Sequence, residues 1–508
     1  MKHSEKIKSL DDLSVITNKK RAEGEVIVHC HGVFDLLHIG HIKHLAAARK
    51  MGDFLTVTIT PDKFVNKGPH RPAFPDVLRA EALAALGCVD YVAINKWATA
   101  VETIRLLKPS KYVKGVVHSN GKRDHTNAID NEDKAVKSVG GELILTDEET
   151  YSASTLINRF VDIFTEETKE FLAEFREKFT PEQVIGYVQQ IQSLKILTIG
   201  EIIIDEYQFC SAMGKANKEA VLAVKSLYKE TYAGGILAVA NHVSNFCDNV
   251  GLISFLGENS SYESFIKEKL YPGVSARLMV KSGCPTIVKR RFIEEYLGAK
   301  LFEVYEIENG DINEKMEEEF CGILDNTIDD YDVVVVADYG HGLLSEKSID
   351  ILCDKAKFLA VNTQTNAGNM GFNTISKYNR ANYISIAEPE IRLDNRKTNE
   401  DLDDLIRHTS SRLSCDTMMI TRGKLGCVVY DKDNGITKTP ALSVKMVDRI
   451  GAGDAVLSIT APLVYLKAPT EIVSFIGNVV GAEACAIMGN KSSIETSSLY
   501  RHITSLMK

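Results

Sequence analysis

The sequence predicts an α/β protein built of two three-layer α/β/α domains. The chain has 508 residues, too many for one ordinary hydrophobic core, so two or three domains are expected. β-rich runs alternate with helical periodicity, which implies parallel sheets covered by helices. Glycine turns stand ahead of helix starts at two distant places, 32–41 and 448–455. Free backbone N–H groups and a helix dipole attract phosphate at such a turn.

Composition narrows the function classes. With 44% apolar and 25% charged residues the chain reads as soluble and globular. A net charge of −9 argues against a broad nucleic-acid or anionic-membrane surface, so any anion site must be local. No apolar run approaches the roughly eighteen residues of a membrane span. Residues 1–20 are polar and lysine-rich, unlike a secretory signal. Ten scattered cysteines without a Cys-x-x-Cys pair read as reduced cytoplasmic thiols; neither a structural zinc site nor any other protein-held metal is expected.

The first domain is placed at 25–160, after a lead-in helix or tail. The apolar run Val26-Ile27-Val28 leads to Gly32-Val33-Phe34-Asp35-Leu36-Leu37-His38-Ile39-Gly40-His41, and a helical stretch follows at 42–49. His38 and His41 are three apart, so in a first helical turn they share a face and can grip one anion. Gly40 lets a nucleotide approach the backbone. His-x-x-His alone is more often a pair of surface histidines; the whole string after a strand argues for a phosphate site.

A strand is expected at 54–60, then a turn at Pro61-Asp62. Lys67, Arg71 and Arg79 follow near the strand's carboxyl end and suit a triphosphate and a phosphorylated acceptor, with solvated charges as the plain alternative. Next come a helix at 76–86, a strand at 89–94, a helix at 101–107, and a block from Lys108 to Gly115 that puts Lys114 at a strand end. After a strand at 142–145, the cluster Ser152, Ser154 and Thr155 opens a helix, either as a simple N-cap or as a phosphate donor.

This domain resembles the cytidylyltransferase-like nucleotidyltransferases, which are Rossmann-like. The resemblance implies that His38 and His41, with Lys67, act on the triphosphate while a phosphate attacks the α-phosphorus. It puts Gly32, Phe34, Asp35, Gly40, Arg79, Lys114, Ser152, Ser154 and Thr155 at the nucleotide and its phosphates. One departure is Val116-Val117-His118, where heptose enzymes usually have glycine, aspartate and an aromatic.

Residues 161–193 read as a connector of one or two amphipathic helices broken at Pro181, either a spacer or the opening of the next domain. The second domain is placed at 194–508. It opens with one buried strand expected at 195–205, ending in acid residues. The pair Gly234-Gly235 opens a small-residue helix that carries Asn241. A β-branched run at 332–337 ends at Asp338-Tyr339-Gly340-His341-Gly342, and another strand runs into Thr421-Arg422-Gly423-Lys424-Leu425-Gly426. In Gly451-Ala452-Gly453-Asp454 the N–H groups of a helix start form an anion hole for a transferring phosphoryl group. Asp454 can take the proton of an attacking hydroxyl.

The order of these motifs resembles the PfkB, ribokinase-like, carbohydrate kinases. The resemblance implies ATP and Mg²⁺, with Asp454 as base and Gly451, Ala452 and Gly453 as anion hole. Thr421, Gly423, Gly426 and Asn478 would lie near the nucleotide, and Asp205, Gly234, Gly235 and Asn241 near the sugar. A small β lid is implied, with 285–305 as part of it, and a homodimer formed through that lid. Departures stand at Glu201 for aspartate, at Asn362-Thr363-Gln364 for an acid-proline-lysine stretch, and at His341 for lysine. The segment 362–373 either lines the sugar site or is a plain polar loop.

Together the two domains resemble the bifunctional heptose kinase–nucleotidyltransferases, with the domain order reversed. The resemblance implies small-molecule partners, a sugar or sugar phosphate and nucleoside triphosphates, with ATP or CTP for the first domain. The alternative is a CTP enzyme for a polyol or amino-alcohol phosphate carrying a degenerate, regulatory or dimerising kinase-like domain.

Overall fold

The computed structural model describes residues 3–65, 72–115, 128–146, 164–296, 298–308, 310–442 and 446–508. The chain divides into two units, Met1–Thr165 with Tyr500–Lys508, and Glu166–Leu499.

In the first unit the strands are β1 (Ile7–Lys8), β2 (Ile27–Gly32), β3 (Phe54–Ile59), β4 (Tyr91–Ile94), β5 (Lys111–Gly115) and β6 (Glu142–Thr146). They form one parallel sheet in the order β1-β4-β3-β2-β5-β6. Strand order reverses between β2 and β5. Connections leave in opposite directions there and open a crevice at the carboxyl ends, the usual ligand position in such sheets. β3 is buried throughout, and Val28, Leu55, Val57 and Val92 pack against Leu45 and Leu83 of flanking helices.

The second unit has a nine-stranded sheet. Its strands are β7 (Lys195–Gly200), β10 (Asn249–Asn259), β11 (Val274–Pro285), β14 (Val333–Asp338), β15 (Leu359–Thr363), β16 (Tyr383–Ala387), β17 (Thr417–Thr421), β18 (Cys427–Asp431) and β19 (Gly435–Thr439). The order is β11-β10-β7-β14-β15-β16-β17-β18-β19, parallel as far as β17 and antiparallel beyond. A second sheet, the lid, holds β8 (Ile202–Lys215), β9 (Leu222–Gly235), β12 (Ile287–Glu294) and β13 (Ala299–Glu306) in the order β13-β12-β8-β9.

The single strand expected at 195–205 is therefore two. Glu201 breaks it: its carboxylate accepts from the Tyr339 and His341 N–H groups at 3.0 and 2.9 Å, and the chain then leaves the main sheet as β8. The expected lid segment 285–305 contributes β12 and β13; β8 and β9 complete the sheet. The connector is two helices, Glu166–Lys178 and Pro181–Gln190, and Thr180 caps the second in a capping box with Gln183. They belong to the second unit, where Phe175 stacks on Phe475 at 4.3 Å, so that unit opens ahead of residue 194.

Candidate functional site

At the reversal point of the first sheet, β2 ends in Gly32 and the helix Ile39–Arg49 begins after His38. His38 is the N-cap, and its Nδ1 accepts the Gly40 N–H at 3.1 Å. An accepting Nδ1 leaves the proton of a neutral imidazole on Nε2. Burial lowers the His38 pKa, in the direction that favours this neutral form. Its buried Nε2 has no partner among the described residues, so one oriented donor remains for an anion. The His41 ring lies 3.9 Å from that of His38. Phe34 meets His41 edge-on at 5.3 Å and holds φ 48°, a strained value for a bulky residue. A Cβ on Gly32 would stand 3.1 Å from the Phe34 ring, tight enough that the ring would have to shift.

Arg79 is reassigned. It is almost fully buried, donating to the carbonyls of Phe74, Val33 and Thr60 and to Asp62 Oδ1 at 2.6 Å. It ties the turn after β2 to the end of β3 and has no exposed face to offer phosphate. Asp35 accepts from the Ala73 N–H and likewise shapes the turn. Lys114 ends β5 beside the crevice, paired with the buried Glu132. The expected Lys67, Ser152, Ser154 and Thr155 lie outside the described residues.

Sequence reasoning passed over a histidine ladder behind this turn. His29 and His31 alternate on β2, so they share a face, and each bonds Thr58 Oγ1 at 2.8 Å; His31 also reaches Thr60 at 3.2 Å. Burial brings both rings to a pKa of about 3, so they stay neutral. The period-two spacing His29-Cys30-His31 was the available signal.

In the second unit the helix Ala452–Tyr465 begins at Gly451, φ 79°. A Cβ on Gly451 would stand 2.1 Å from Asn490 Oδ1, whereas one on Gly453 would meet nothing within 4 Å. The space beside Gly453 is thus open, as an anion cradle requires. Asp454 is buried and accepts from the Tyr339 hydroxyl at 2.9 Å. Burial, with the charge of Asp205 added, raises its pKa to about 6 against the opposing pull of Tyr339 and Lys289. A carboxyl tuned upward in this way suits a general base.

Asp205 ion-pairs with Arg291 at 2.5 Å and accepts from Asn490 Nδ2 at 3.2 Å. A Cβ on Gly234 would stand 2.1 Å from Asp205 Oδ2, so only glycine leaves the carboxylate its place; Gly235 has φ 57° and lies against the Glu201 carbonyl. The expected sugar contact Asn241 lines the same cleft as Asn490; its amide donates to Lys269 O at 2.9 Å and accepts from Tyr271 N–H at 3.0 Å, which pins the loop there. The segment 362–373 is a clamp. Asn366 and Asn369 both donate to Tyr339 O, and Asn373 to Asp338 O, fixing the turn that aims Tyr339 at Asp454.

Thr421 ends β17 opposite Cys427, whose sulfur accepts from Asn478 at 3.0 Å, so these two expected nucleotide residues converge. Gly423 and Gly426 shape the loop between β17 and β18 with φ 57° and 82°. A cleft of ≈ 260 Å³ lies beside Asn490, bounded by Thr231, Tyr232, Lys269, Tyr271 and Lys491. Among the described residues no group of three or more His, Cys, Asp or Glu is arranged around a metal position. Mg²⁺ needs no such cage, because it binds through one or two carboxylates plus substrate phosphates.

These geometries describe a two-unit α/β protein, one unit with an imidazole pair at a sheet crevice, the other with a buried carboxyl at a glycine-started helix and a lid sheet. Residues 193–496, more than half of the chain, match the family model of the pfkB family carbohydrate kinases, and the chain belongs to that family. Residues 29–160 match the cytidylyltransferase-like model. Among curated proteins the chain is similar to the bifunctional protein HldE of Trichlorobacter lovleyi, 45% identical over 112 residues, 22% of this chain and 23% of that protein. The bifunctional protein HldE of Campylobacter jejuni is 26% identical over 305 residues, 59% of this chain and 62% of that protein. These alignments thus span under two thirds of either relative. Phosphofructokinase-2 from Escherichia coli, in complex with potassium, aligns with 61% of this chain and 99% of its own at 15% identity and TM-score 0.49. Ribokinase of Arabidopsis thaliana, complexed with ribose and ATP, aligns with 62% and 99% at 13% identity and TM-score 0.45.

Proposed function

We propose that the chain is a bifunctional enzyme of nucleotide-sugar precursor synthesis. The second unit transfers the γ-phosphoryl of ATP to a hydroxyl of a sugar or sugar phosphate of heptose type. The first joins a sugar phosphate to a nucleoside monophosphate, drawn from ATP or CTP, with release of pyrophosphate. The observation that carries the kinase half is Asp454, a buried carboxyl with a pKa of about 6, one residue beyond an open Gly453 cradle.

In the kinase step Asp454 takes the acceptor proton as the new O–P bond forms, and the Gly451 to Gly453 amides receive the transferring group's charge. The acceptor lies in the ≈ 260 Å³ cleft beside Asn490, next to Asp205. Mg²⁺ would screen the triphosphate charge. In the nucleotidyl step the acceptor phosphate is already an anionic nucleophile, so the site aligns and neutralises without a covalent enzyme intermediate. His38 and His41 steady the triphosphate, with Lys67, Lys114, Ser152, Ser154 and Thr155 as further phosphate contacts. The substrates are small and soluble, which fits a cytoplasmic enzyme; no described helix is long and apolar enough to cross a membrane, and all ten cysteines are free.

The homodimer face is the outer side of the lid, where Phe302 stacks on Phe292 at 4.4 Å yet is 45% exposed, beside Val304 at 40%. Thermal-shift titration with ATP and with CTP, each with Mg²⁺, tests nucleotide use. Assays of ADP and pyrophosphate formation over a panel of sugars, polyols and their phosphates test the two reactions. Pyrophosphate release from CTP and a polyol phosphate, with no ADP formed on any sugar, would favour the single-activity alternative.

A further inference from the structure

The lid carries a cation that no hydrogen bond or ion pair neutralises among the described residues. Lys289 lies on β12 and is 4% exposed. It pairs in register with Asp205 on β8 and with Tyr305 on β13. Arg291, two residues on, projects from the same face of the strand. Arg291 is fully engaged, bonding Asp205 Oδ1 at 2.5 Å and Glu303 at 3.2 Å. Asn490 takes Asp205 Oδ2. Both oxygens of the neighbouring carboxylate are thus occupied, and among the described residues the Lys289 ammonium makes no hydrogen bond and no ion pair. It stands 5.4 Å over the ring of Tyr305.

The Lys289 side chain is almost wholly buried while its ammonium is not sealed off, so the cation stays able to meet a ligand. The carboxylates whose fields reach Lys289 are Asp205, Glu201 and Asp454. Asp205 and Asp454 belong to the candidate transfer site, and Glu201 is held by two backbone N–H groups at its edge. The other basic group nearby, His341, is pushed down to a pKa of about 3, chiefly by burial and also by the charges of Lys289 and Lys281, so it brings no charge.

We propose that Lys289 is a catalytic residue of the phosphoryl-transfer site: its ammonium, carried by the lid, donates to a non-bridging oxygen of the transferring phosphoryl group. This rests on reading the second unit as a kinase. The acceptor oxygen bonds to the γ-phosphorus, the bond from that phosphorus to the oxygen of ADP breaks, and the acceptor proton goes to Asp454. Lys289 keeps its protons and stabilises charge opposite the Gly451 to Gly453 amides. The cradle supplies fixed dipoles from the main body, and the lid supplies the full positive charge, so the charge complement is complete only with the lid over the site.

The test uses the full-length chain and titrates ADP with Mg²⁺, with and without aluminium fluoride, a mimic of the transferring group. In the unaltered protein aluminium fluoride should tighten ADP binding at least about tenfold. Lys289→Met should abolish that tightening and leave binding of ADP alone unchanged; Lys289→Arg should restore part of it. Thermal melting of Lys289→Met should show little loss of stability, because the ammonium makes no hydrogen bond or ion pair among the described residues. If Lys289→Met tightens as the unaltered protein does, or if it weakens ADP itself equally, the assignment is overturned. A rise in acceptor KM with the aluminium fluoride effect intact would make Lys289 an acceptor anchor and also overturn it. If the unaltered protein binds no ADP, the kinase reading fails, and this assignment with it.

Discussion

Gly451 and Gly453 stand two residues apart and are glycine for different reasons. Gly451 is held at φ 79° against Asn490, so Gly451→Ala should cost about 1–2 kcal/mol of backbone strain and more from the clash. Gly453 has ordinary helical geometry and open space where a Cβ would stand. Gly453→Ala should therefore stabilise the helix by about 0.5–1 kcal/mol while filling the cradle. Thermal melting with an ATP-consumption assay checks both: a Gly453→Ala protein as active as the unaltered one would remove the anion role. Asp454 gives a pH prediction of definite sign. Its pKa is about 6 folded against 3.8 for an ordinary aspartate. The folded state prefers the neutral form, so the destabilisation is absent below pH 3.8, grows between 3.8 and 6, and is complete above 6. Asp454→Asn keeps an acceptor for Tyr339 and should add on the order of 3 kcal/mol at pH 8 and almost nothing at pH 3.5, read by denaturant melts. In the unaltered protein kcat/KM for phosphoryl transfer should fall about tenfold per pH unit below 6. The turn and helix start at Gly451 were legible in the sequence because they are local: the glycines and the carboxyl lie within a few positions. The engagement of Arg79 was not, because whether a polar side chain is available depends on distant partners such as Val33 and Asp62.

The lid is held to the cradle segment by named contacts. Lys300 on β13 bonds Asp448 Oδ1 at 2.6 Å, and Tyr207 on β8 bonds Asp448 Oδ2 at 2.7 Å. Asp448 is almost fully buried, also takes the Ile450 and Gly489 N–H groups, and lies three residues ahead of Gly451. The ammonium and hydroxyl hold its pKa down despite burial. Lys300→Met removes a charge-assisted bond of about 1.5–3 kcal/mol and should loosen the lid while the main sheet keeps its protection. Faster amide exchange confined to β12 and β13, with a lower kcat, is expected; unchanged exchange there would show that the latch does not hold the lid. At this scale the sequence was readable where burial and hydrophobic pattern coincide, as in Val333–Asp338. It was less readable at β8, where Ile202, Ile203 and Ile204 resume the apolar run of β7 after only Gly200 and Glu201. The change of sheet is set by Glu201 bonding to residues 339 and 341, a contact that no local pattern encodes.

At the scale of the molecule, each of the two units carries one of the proposed anion sites, and with a net charge of −9 such sites must be local. The histidine pair rests on β2 and its following helix, whose packing partners lie in the first unit. Asp454 rests on the helix after Gly451, with Tyr339 and the asparagine clamp entirely in the second. The described contacts of each site lie within its own unit, so substitutions should separate the two reactions. His41→Ala removes an imidazole from the first site and should lower pyrophosphate formation by about two orders of magnitude or more, with ADP formation on a sugar acceptor unchanged. Asp454→Ala should do the reverse, because without a base the acceptor hydroxyl keeps its proton. Both products can be measured in parallel on the same full-length preparations, so loss of folding in either unit appears as a melting change rather than a selective loss. If His41→Ala suppresses both reactions in a protein that still melts normally, independence of the two sites is refuted. If neither substitution affects its own reaction, the catalytic roles given to the imidazole pair and the buried carboxyl are wrong.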